Sequence, residues 1–260
     1  MKKYLVIGNP IEHSLSPKLH NYWIEENSID AIYDKKNLNE TEIEGMVEDI
    51  KKGKIEGINV TVPFKKSIIP FLDQLTLLAK EAQSVNTIFK KDNKIIGDNT
   101  DIGGFESSLK HINYSVKNKK IFILGAGGVT PSIIVGLKNL GASKIVLSNR
   151  TKEKADKLKF FFKGLETVDW GEIVDFDMII NSTSLGLKNN DEIKLNYNDL
   201  GRDKLFYDLV YNPKETNFLK KAKLLGNKVE NGKMMFIYQA QLAFQIWHNI
   251  LPEVNENLLN

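Results

Sequence analysis

The chain has 260 residues, and Lys+Arg 36 against Asp+Glu 33 gives a formal net charge of +3. That length builds one large domain or two small ones with a real core, and 42% hydrophobic with 27% charged residues excludes wholesale disorder. The basic excess is too mild and dispersed to argue for nucleic acid or a membrane surface, and zero cysteine excludes disulfides, thiolate metal sites and cysteine catalysis.

The first apolar stretch, Tyr4–Ile7, is broken by Gly8-Asn9-Pro10. It is shorter than the ~7–15 residues of a signal-peptide core and reads as a buried β-strand in an unprocessed, cytoplasmic protein. No apolar run nears the ~18 residues of a membrane span. Ser16-Pro17 predicts a helix to about Asn27, with Ser16 as cap and Pro17 in its first turn. A short strand follows at Ala31–Tyr33. Thr41–Lys52 reads as a helix whose Ile43, Met46, Val47 and Ile50 share one face. Ile55–Val62 is strand-like, Leu75–Gln83 helical, and Val85–Phe89 with Lys94–Ile96 reads as a hairpin or a pair of neighbouring strands across Asp92-Asn93.

After Asp101 the pattern changes. An apolar strand, Lys119–Leu124, runs into Gly125-Ala126-Gly127-Gly128, then a helix from about Val129 to Leu140, then a strand at Lys144–Leu147. This β-α-β unit has the length of a dinucleotide-binding half. Strands are expected at Met178–Ile180 and Leu205–Asp208, and helices at Thr151–Phe162, Glu215–Leu225 and Met234–Ile250. The alternation predicts an α/β fold. The expected division is a catalytic domain from 1–103 with 233–260, because the apolar last helix returns to it, and a Rossmann-like domain over 104–232.

Glycines between a strand and a helix let the backbone approach a pyrophosphate, and the helix N-terminus offers unpaired N–H groups. Thr130 stands where a strict Gly-x-Gly-x-x-Gly has its third glycine, so a plain tight turn is the competing reading. The next strand ends Ser148-Asn149-Arg150-Thr151, with Lys154 one turn on. An acid there would accept from the ribose of NAD; two cations favour the 2′-phosphate of NADP. Solvated surface cations are the alternative.

Three polar clusters lie at strand ends in the first domain. His13-Ser14-Leu15-Ser16-Pro17 offers two hydroxyls and a helix start to a carboxylate, or simply caps the helix. Asn59-Val60-Thr61-Val62-Pro63-Phe64-Lys65 alternates polar and apolar, a pattern that usually means a solvated face. Val85-Asn86-Thr87 and Gly97-Asp98-Asn99-Thr100-Asp101 add amides, hydroxyls and an acid. Together they suit a polyhydroxylated ligand.

In this order, these segments resemble the shikimate dehydrogenase family over nearly the whole chain. The resemblance also takes in Gly8-Asn9-Pro10, His20-Asn21, Asn181-Ser182-Thr183-Ser184, Asp208…Tyr211…Pro213…Thr216 and Gly232…Met235…Gln239…Phe244…Trp247. It implies a substrate domain completed by the C-terminal helix, an NADP-binding Rossmann domain, and an active site in the cleft between them. The implied reaction is reversible hydride transfer between NADPH and 3-dehydroshikimate, on the route to chorismate and aromatic amino acids.

By motif position, Ser14 and Ser16 would hold the substrate carboxylate with Tyr211. Asn59, Thr61, Asn86, Asp101 and Gln239 would hold hydroxyls. Lys65 would be the acid/base and Asp101 its orienting partner. Gly125, Ala126, Gly127, Gly128, Val129, Asn149, Arg150, Thr151, Lys154 and Thr183 fall in cofactor motifs, with Leu209 and Gly232 near the nicotinamide. The sequence departs from the family at Thr130-Pro131, where a small residue plus a cation is frequent, and at Lys154, where arginine is. It also departs at Leu77, where many relatives carry an acid. No metal, nucleic acid or membrane partner is expected, and monomer and homodimer both remain open. The rival readings are an NAD-dependent quinate/shikimate enzyme, a catalytically dead shikimate-binding regulator, and a folate- or tRNA-linked Rossmann dehydrogenase sharing only the second domain.

Overall fold

The computed structural model describes residues 1–188, 191–255 and 258. The chain divides into two compact units, Met1–Ser107 with Phe236–Asn260, and Ser108–Met235. Among the described residues no helix is long and apolar enough to cross a membrane, and no cluster of His, Asp or Glu is fit to hold a metal.

The first unit runs β1 (Lys2–Gly8), α1 (Ser16–Glu26), β2 (Ala31–Asn37), α2 (Ile43–Lys51), β3 (Gly57–Val60), β4 (Gln74–Leu75), α3 (Leu77–Ala82), β5 (Thr87–Lys91) and β6 (Lys94–Asp98). Its sheet has the order β2-β1-β3-β5-β6-β4. β1 runs parallel to β2 and β3, and β5 runs antiparallel to β3 and β6. α2 buries Ile43, Met46, Val47 and Ile50, the i, i+3, i+4, i+7 stripe of an amphipathic helix, among Ile7, Ile58, Val60 and Ile88. A second cluster is aromatic: Tyr4, His20, Trp23, Tyr33, Phe244 and Trp247 are in ring contact. Trp247 donates Nε1–H to the Ile88 carbonyl at 3.1 Å and lies against Gly57, where a Cβ would stand 2.6 Å from the indole Cε2. Only glycine leaves room there for the last helix to pack on β3.

Two further helices are shared along the chain, α4 (Thr100–His111) and α8 (Lys233–His248). The unit boundaries at 107/108 and 235/236 fall inside them.

The second unit runs β7 (Lys120–Leu124), α5 (Thr130–Asn139), β8 (Lys144–Ser148), α6 (Lys152–Phe161), β9 (Leu165–Val168), β10 (Met178–Asn181), β11 (Leu205–Asp208), α7 (Asn217–Leu224) and β12 (Lys228–Asn231). The sheet order is β12-β11-β10-β7-β8-β9, parallel throughout. This is the order of a doubly wound dinucleotide-binding sheet, reversing between β7 and β10. The central strands are apolar along their length because helices cover both faces: β10 and β11 are buried at every position.

Three of the expected elements are revised, and α4, β9 and β12 are additional to the expectations. Residue 75 ends a two-residue strand, and the helix starts only at Leu77, capped by Thr76 Oγ1 accepting from Ala79 N at 3.3 Å. The strand expected over Ile55–Val62 covers only Gly57–Val60. Ser16 is not a cap: it is the first helical residue, Leu15 holds the cap position, and no side chain caps α1.

Candidate active site

Lys65, one residue past Phe64 in the turn after β3, and Asp101, in the first turn of α4, meet as a buried ion pair. Nζ lies 2.6 Å from Oδ2, and the residues are 8% and 6% exposed. The other Asp101 oxygen accepts from Asn86 Nδ2 at 3.0 Å. A carboxylate shared in this way cannot turn without breaking two charge-assisted contacts, so it fixes the direction in which the ammonium points.

Asn86 is the hub. Its Nδ2 also reaches Thr100 Oγ1 at 2.9 Å and Gln239 Oε1 at 3.3 Å, and its Oδ1 accepts from Thr100 N at 2.7 Å. Asn59 sits one strand across, with Nδ2 on the Asn86 carbonyl and on Thr87 Oγ1, both at 3.1 Å. Its Oδ1 accepts from the Tyr33 phenol at 2.7 Å. Tyr33 is buried, and burial pushes its hydroxyl well above the ordinary range while a Ser16 hydrogen bond pulls it back. Ser14 Oγ accepts from Ser16 N at 3.3 Å. The structure thus connects Ser14, Ser16, Asn59, Asn86, Asp101, Lys65 and Gln239. The polar face of β3 is not solvated, since Asn59 is only 6% exposed. Thr61 stands apart from the network, half-buried, its N–H on the Ile7 carbonyl. Tyr33, Thr87 and Thr100 complete the network without having been assigned roles. Nothing in the sequence marks Tyr33, whose strand reads as ordinary β-structure.

In the second unit Gly125 adopts φ +105, and a Cβ there would meet the Ser182 carbonyl at 2.8 Å. The turn brings β7 into α5, with Gly127 exposed and space around Gly128 where a side chain would otherwise project. This cradle and the start of a 10-residue helix fit a pyrophosphate. Thr130, at the position of the missing glycine, is buried, with Oγ1 on the Gly125 carbonyl at 3.0 Å and on Ser182 Oγ at 2.8 Å. It closes the turn from inside. Ala126 N donates to Asn149 Oδ1 at 3.0 Å, so this N–H is committed to joining the two loops.

Arg150, Thr151 and Lys154 are exposed. Arg150 lines a cavity of about 450 Å³ with Lys152, Asp156, Asp169, Trp170 and Glu172. The end of β8 carries no acid, but later segments bring three carboxylates to the same cavity, one of them paired with Lys152 (3.4 Å to Asp169). Thr183, Leu209 and Gly232 lie beyond the ends of β10, β11 and β12. Thr183 is fixed by Oγ1 and N on Asn181 Oδ1 at 2.7 and 3.0 Å. A Cβ on Gly232 would collide with the Leu209 backbone, so only glycine permits that approach. Tyr211 is half-buried in this unit, its hydroxyl pushed up by burial. Val129 caps α5 without a side-chain hydrogen bond.

A parallel sheet with a glycine turn at its switch point, in one chain with a unit that buries a lysine–carboxylate pair inside a wall of amides, defines a pyridine-nucleotide oxidoreductase. The family described as "Shikimate dehydrogenase substrate binding domain" matches residues 6–88, and "Shikimate / quinate 5-dehydrogenase" matches 107–209. The chain is 61% identical over 259 residues to a shikimate dehydrogenase (NADP(+)) of Pelagibacter ubique, covering 100% of this chain and 98% of that protein. A crystal structure of shikimate dehydrogenase from Aquifex aeolicus superposes with a TM-score of 0.90 at 44% identity, over 97% of this chain and 94% of that one. The Thermus thermophilus enzyme in complex with NADP(H) and shikimate gives a TM-score of 0.90 at 30% identity, over 97% and 95%. The chain belongs to the NADP-dependent shikimate dehydrogenase family.

Proposed function

We infer that the chain catalyses the reversible NADPH-dependent reduction of 3-dehydroshikimate to shikimate, in the pathway to chorismate and aromatic amino acids. The observation that carries this reading is the buried Lys65–Asp101 pair, 2.6 Å apart, inside a wall of amides and hydroxyls. When bound, NADP supplies or accepts the hydride; the chain must hold both ligands and move one proton. Lys65 donates that proton to the alkoxide oxygen that develops in reduction, and takes it back in oxidation. Asp101 orients the ammonium and accepts from a hydroxyl of the substrate.

The hydrogen-bond inventory gives the other roles a direction. Both Asn59 N–H groups are committed to Asn86 and Thr87, so Asn59 has only a lone pair of Oδ1 to offer and accepts from a substrate hydroxyl. Asn86 Nδ2 has two hydrogens for three acceptors, and Gln239 is the longest contact at 3.3 Å. Exchanging it frees Gln239 Oε1 for a hydroxyl. Thr61 supplies a further hydroxyl. Ser14 and Ser16 donate to the carboxylate, with Tyr211 assisting. The substrate is held by 1–103 with 233–260, and the nucleotide by 104–232. There Gly125, Gly127, Gly128 and Val129 hold the pyrophosphate, with Ala126 joining their turn to Asn149, while Asn149, Arg150, Thr151 and Lys154 hold the 2′-phosphate side. Thr183, Leu209 and Gly232 hold the nicotinamide side.

The direct test follows NADPH oxidation with 3-dehydroshikimate, repeated with NADH and with 3-dehydroquinate. Turnover with NADPH and 3-dehydroshikimate and little with NADH is the expected result, and the rate with 3-dehydroquinate measures the quinate ratio. Turnover with NADH alone would favour the NAD-dependent reading, and binding without turnover the regulator.

A further inference from the structure

Asp208, the last residue of β11, has no part in the chemistry above. It is fully buried, at 0% exposure. Oδ1 accepts from Asn181 Nδ2 at 2.8 Å and Val210 N at 3.0 Å, and Oδ2 accepts from Thr216 Oγ1 at 2.5 Å. All three donors are neutral, so nothing in this set cancels a carboxylate charge. Burial raises its carboxyl to about 6, against the pull of the three hydrogen bonds. At neutral pH it is mostly ionised, and a charge in such a place is weakly screened.

Its neighbours locate it functionally. Asn181 ends β10, and its Nδ2 also holds the Leu185 carbonyl at 2.9 Å, while its Oδ1 holds Thr183. Thr216 caps α7, accepting from Leu219 N at 3.4 Å. The carboxylate therefore sits where the loops after β10 and β11 meet the start of α7, at the carboxyl edge of the sheet. In a doubly wound sheet each half takes one mononucleotide across the switch point. The half β7-β8-β9 carries the glycine turn and Arg150, so the half β10-β11-β12 receives the nicotinamide end. The nicotinamide ring is cationic when oxidised and neutral when reduced. A fixed negative charge near it acts on one redox state only.

We propose that the buried charge of Asp208 tunes the nicotinamide half of the site, holding NADP+ more tightly relative to NADPH than a neutral residue would. This rests on the NADP-binding reading of the second unit. Asp208 is here a positioning residue acting through the field, and it shifts the equilibrium between the bound ligand pairs while leaving the overall reaction equilibrium untouched.

The test is the dissociation constant of NADP+ and of NADPH, each measured by titration of the intact wild-type chain and of Asp208→Asn. The amide keeps the shape of the carboxylate and an acceptor for Asn181 and Val210, and Thr216 can turn to accept from it. The expected result is NADP+ binding weakened about fivefold or more with NADPH changed by less than about twofold. Equal weakening of both, up to loss of both, would make Asp208 a loop brace only and overturn the proposal, as would an unchanged ratio. If the Asn variant does not fold, Asp208→Ser, smaller and also neutral, is judged by the same ratio. A wild-type chain that binds neither nucleotide would instead remove the cofactor reading itself.

Discussion

The two units hold their functional polar groups in opposite ways. In the first, Lys65, Asp101, Asn86 and Asn59 are buried and bonded to one another. In the second, Gly127, Arg150 and Lys154 are exposed. The contrast extends to a single residue type: Asp101 is buried against a cation at 2.6 Å, whereas Asp208 is buried against neutral donors only. A closed buried network is ready for charge that develops during reaction and has no reorganisation left to undergo. Exposed cations suit a phosphate that arrives fully charged, and each contributes little alone. Losses should therefore fall from the buried set to the exposed one.

The largest effect is expected at Lys65. If it transfers the proton, its contribution lies in the transition state, and Lys65→Ala should cut turnover by about 10²–10⁴-fold. The shikimate Michaelis constant should move far less, because Ser14, Ser16, Asn59, Thr61 and Gln239 still hold the ligand. Lys65→Met, which keeps most of the bulk, should behave alike. Steady-state kinetics showing near-normal turnover with a greatly raised Michaelis constant would demote Lys65 to binding and pass the proton to Asp101, Tyr211 or water.

Ser14→Ala with Ser16→Ala comes next. Each hydroxyl contact to a charged group is worth roughly 1.5–3 kcal/mol, so calorimetry should show shikimate binding weakened strongly and NADPH binding intact. The variant also loses the Ser14 bond to Ser16 N and the Ser16 bond to Tyr33, so the melting temperature should fall modestly while the fold persists. A collapse of stability with shikimate affinity retained would return both serines to a purely structural role.

The sequence made the regular parts of both units legible and hid what tertiary contacts decide. The stripe Ile43, Met46, Val47, Ile50 specifies α2, and the run Ile121–Leu124 before a glycine turn specifies β7. α4 escapes notice because Thr100-Asp101 and Gly103-Gly104 are poor helix formers; it is held by the burial of Ile102, Phe105 and Leu109 instead. β9 and β12 escape as short, partly exposed edge strands. At the site, the residue types were legible, and the resemblance supplied the pairing of Lys65 with Asp101, but the other partners were not. Asn59 alternates with apolar neighbours like a solvated residue, yet Tyr33, 26 positions away, meets it in the interior. Asp156 on α6, and Asp169 with Glu172 in the turn after β9, reach the Arg150 cavity from two separate segments, a convergence that no local spacing shows.

A third experiment probes the buried set through pH. His20 is 1% exposed, stacked on Tyr33 at 4.2 Å, with neither ring nitrogen hydrogen-bonded. Burial lowers its pKa from 6.5 to about 3, with the charge of His248 as a second cause. It is therefore neutral in the fold, while the unfolded chain takes up a proton below pH 6.5, so stability falls as pH drops from 6.5 toward 3. Asp208 has the opposite sign: its raised pKa means the fold takes up a proton first, and stability rises as pH drops from 6 toward 3.8. The imidazole should cost about 2 kcal/mol at pH 5 relative to pH 7, partly offset by the carboxyl. In urea unfolding, His20→Phe should shrink the gap between those two pH values by about that amount. An undiminished gap would mean that His20 is solvated in the fold.

The smallest effect is expected at the exposed end, and it has the sharpest signature. Arg150 offers a planar fork to a 2′-phosphate, but from a solvated position where a single charge contact is modest. The cavity it lines also carries Asp156, Asp169 and Glu172. Removing the arginine leaves those carboxylates facing an incoming dianion, with Lys152 already engaged by Asp169. Arg150→Ala should therefore raise the NADPH Michaelis constant about tenfold, roughly 1.4 kcal/mol and within the range of a charge-assisted contact, and leave the NADH value nearly unchanged. NADH brings no phosphate to that position, so any term the arginine contributes to adenosine or pyrophosphate would weaken both cofactors together. Equal losses with the two cofactors would thus break the contrast drawn above, placing Arg150 among the groups that shape the second unit and leaving Lys154 as the reader of the phosphate.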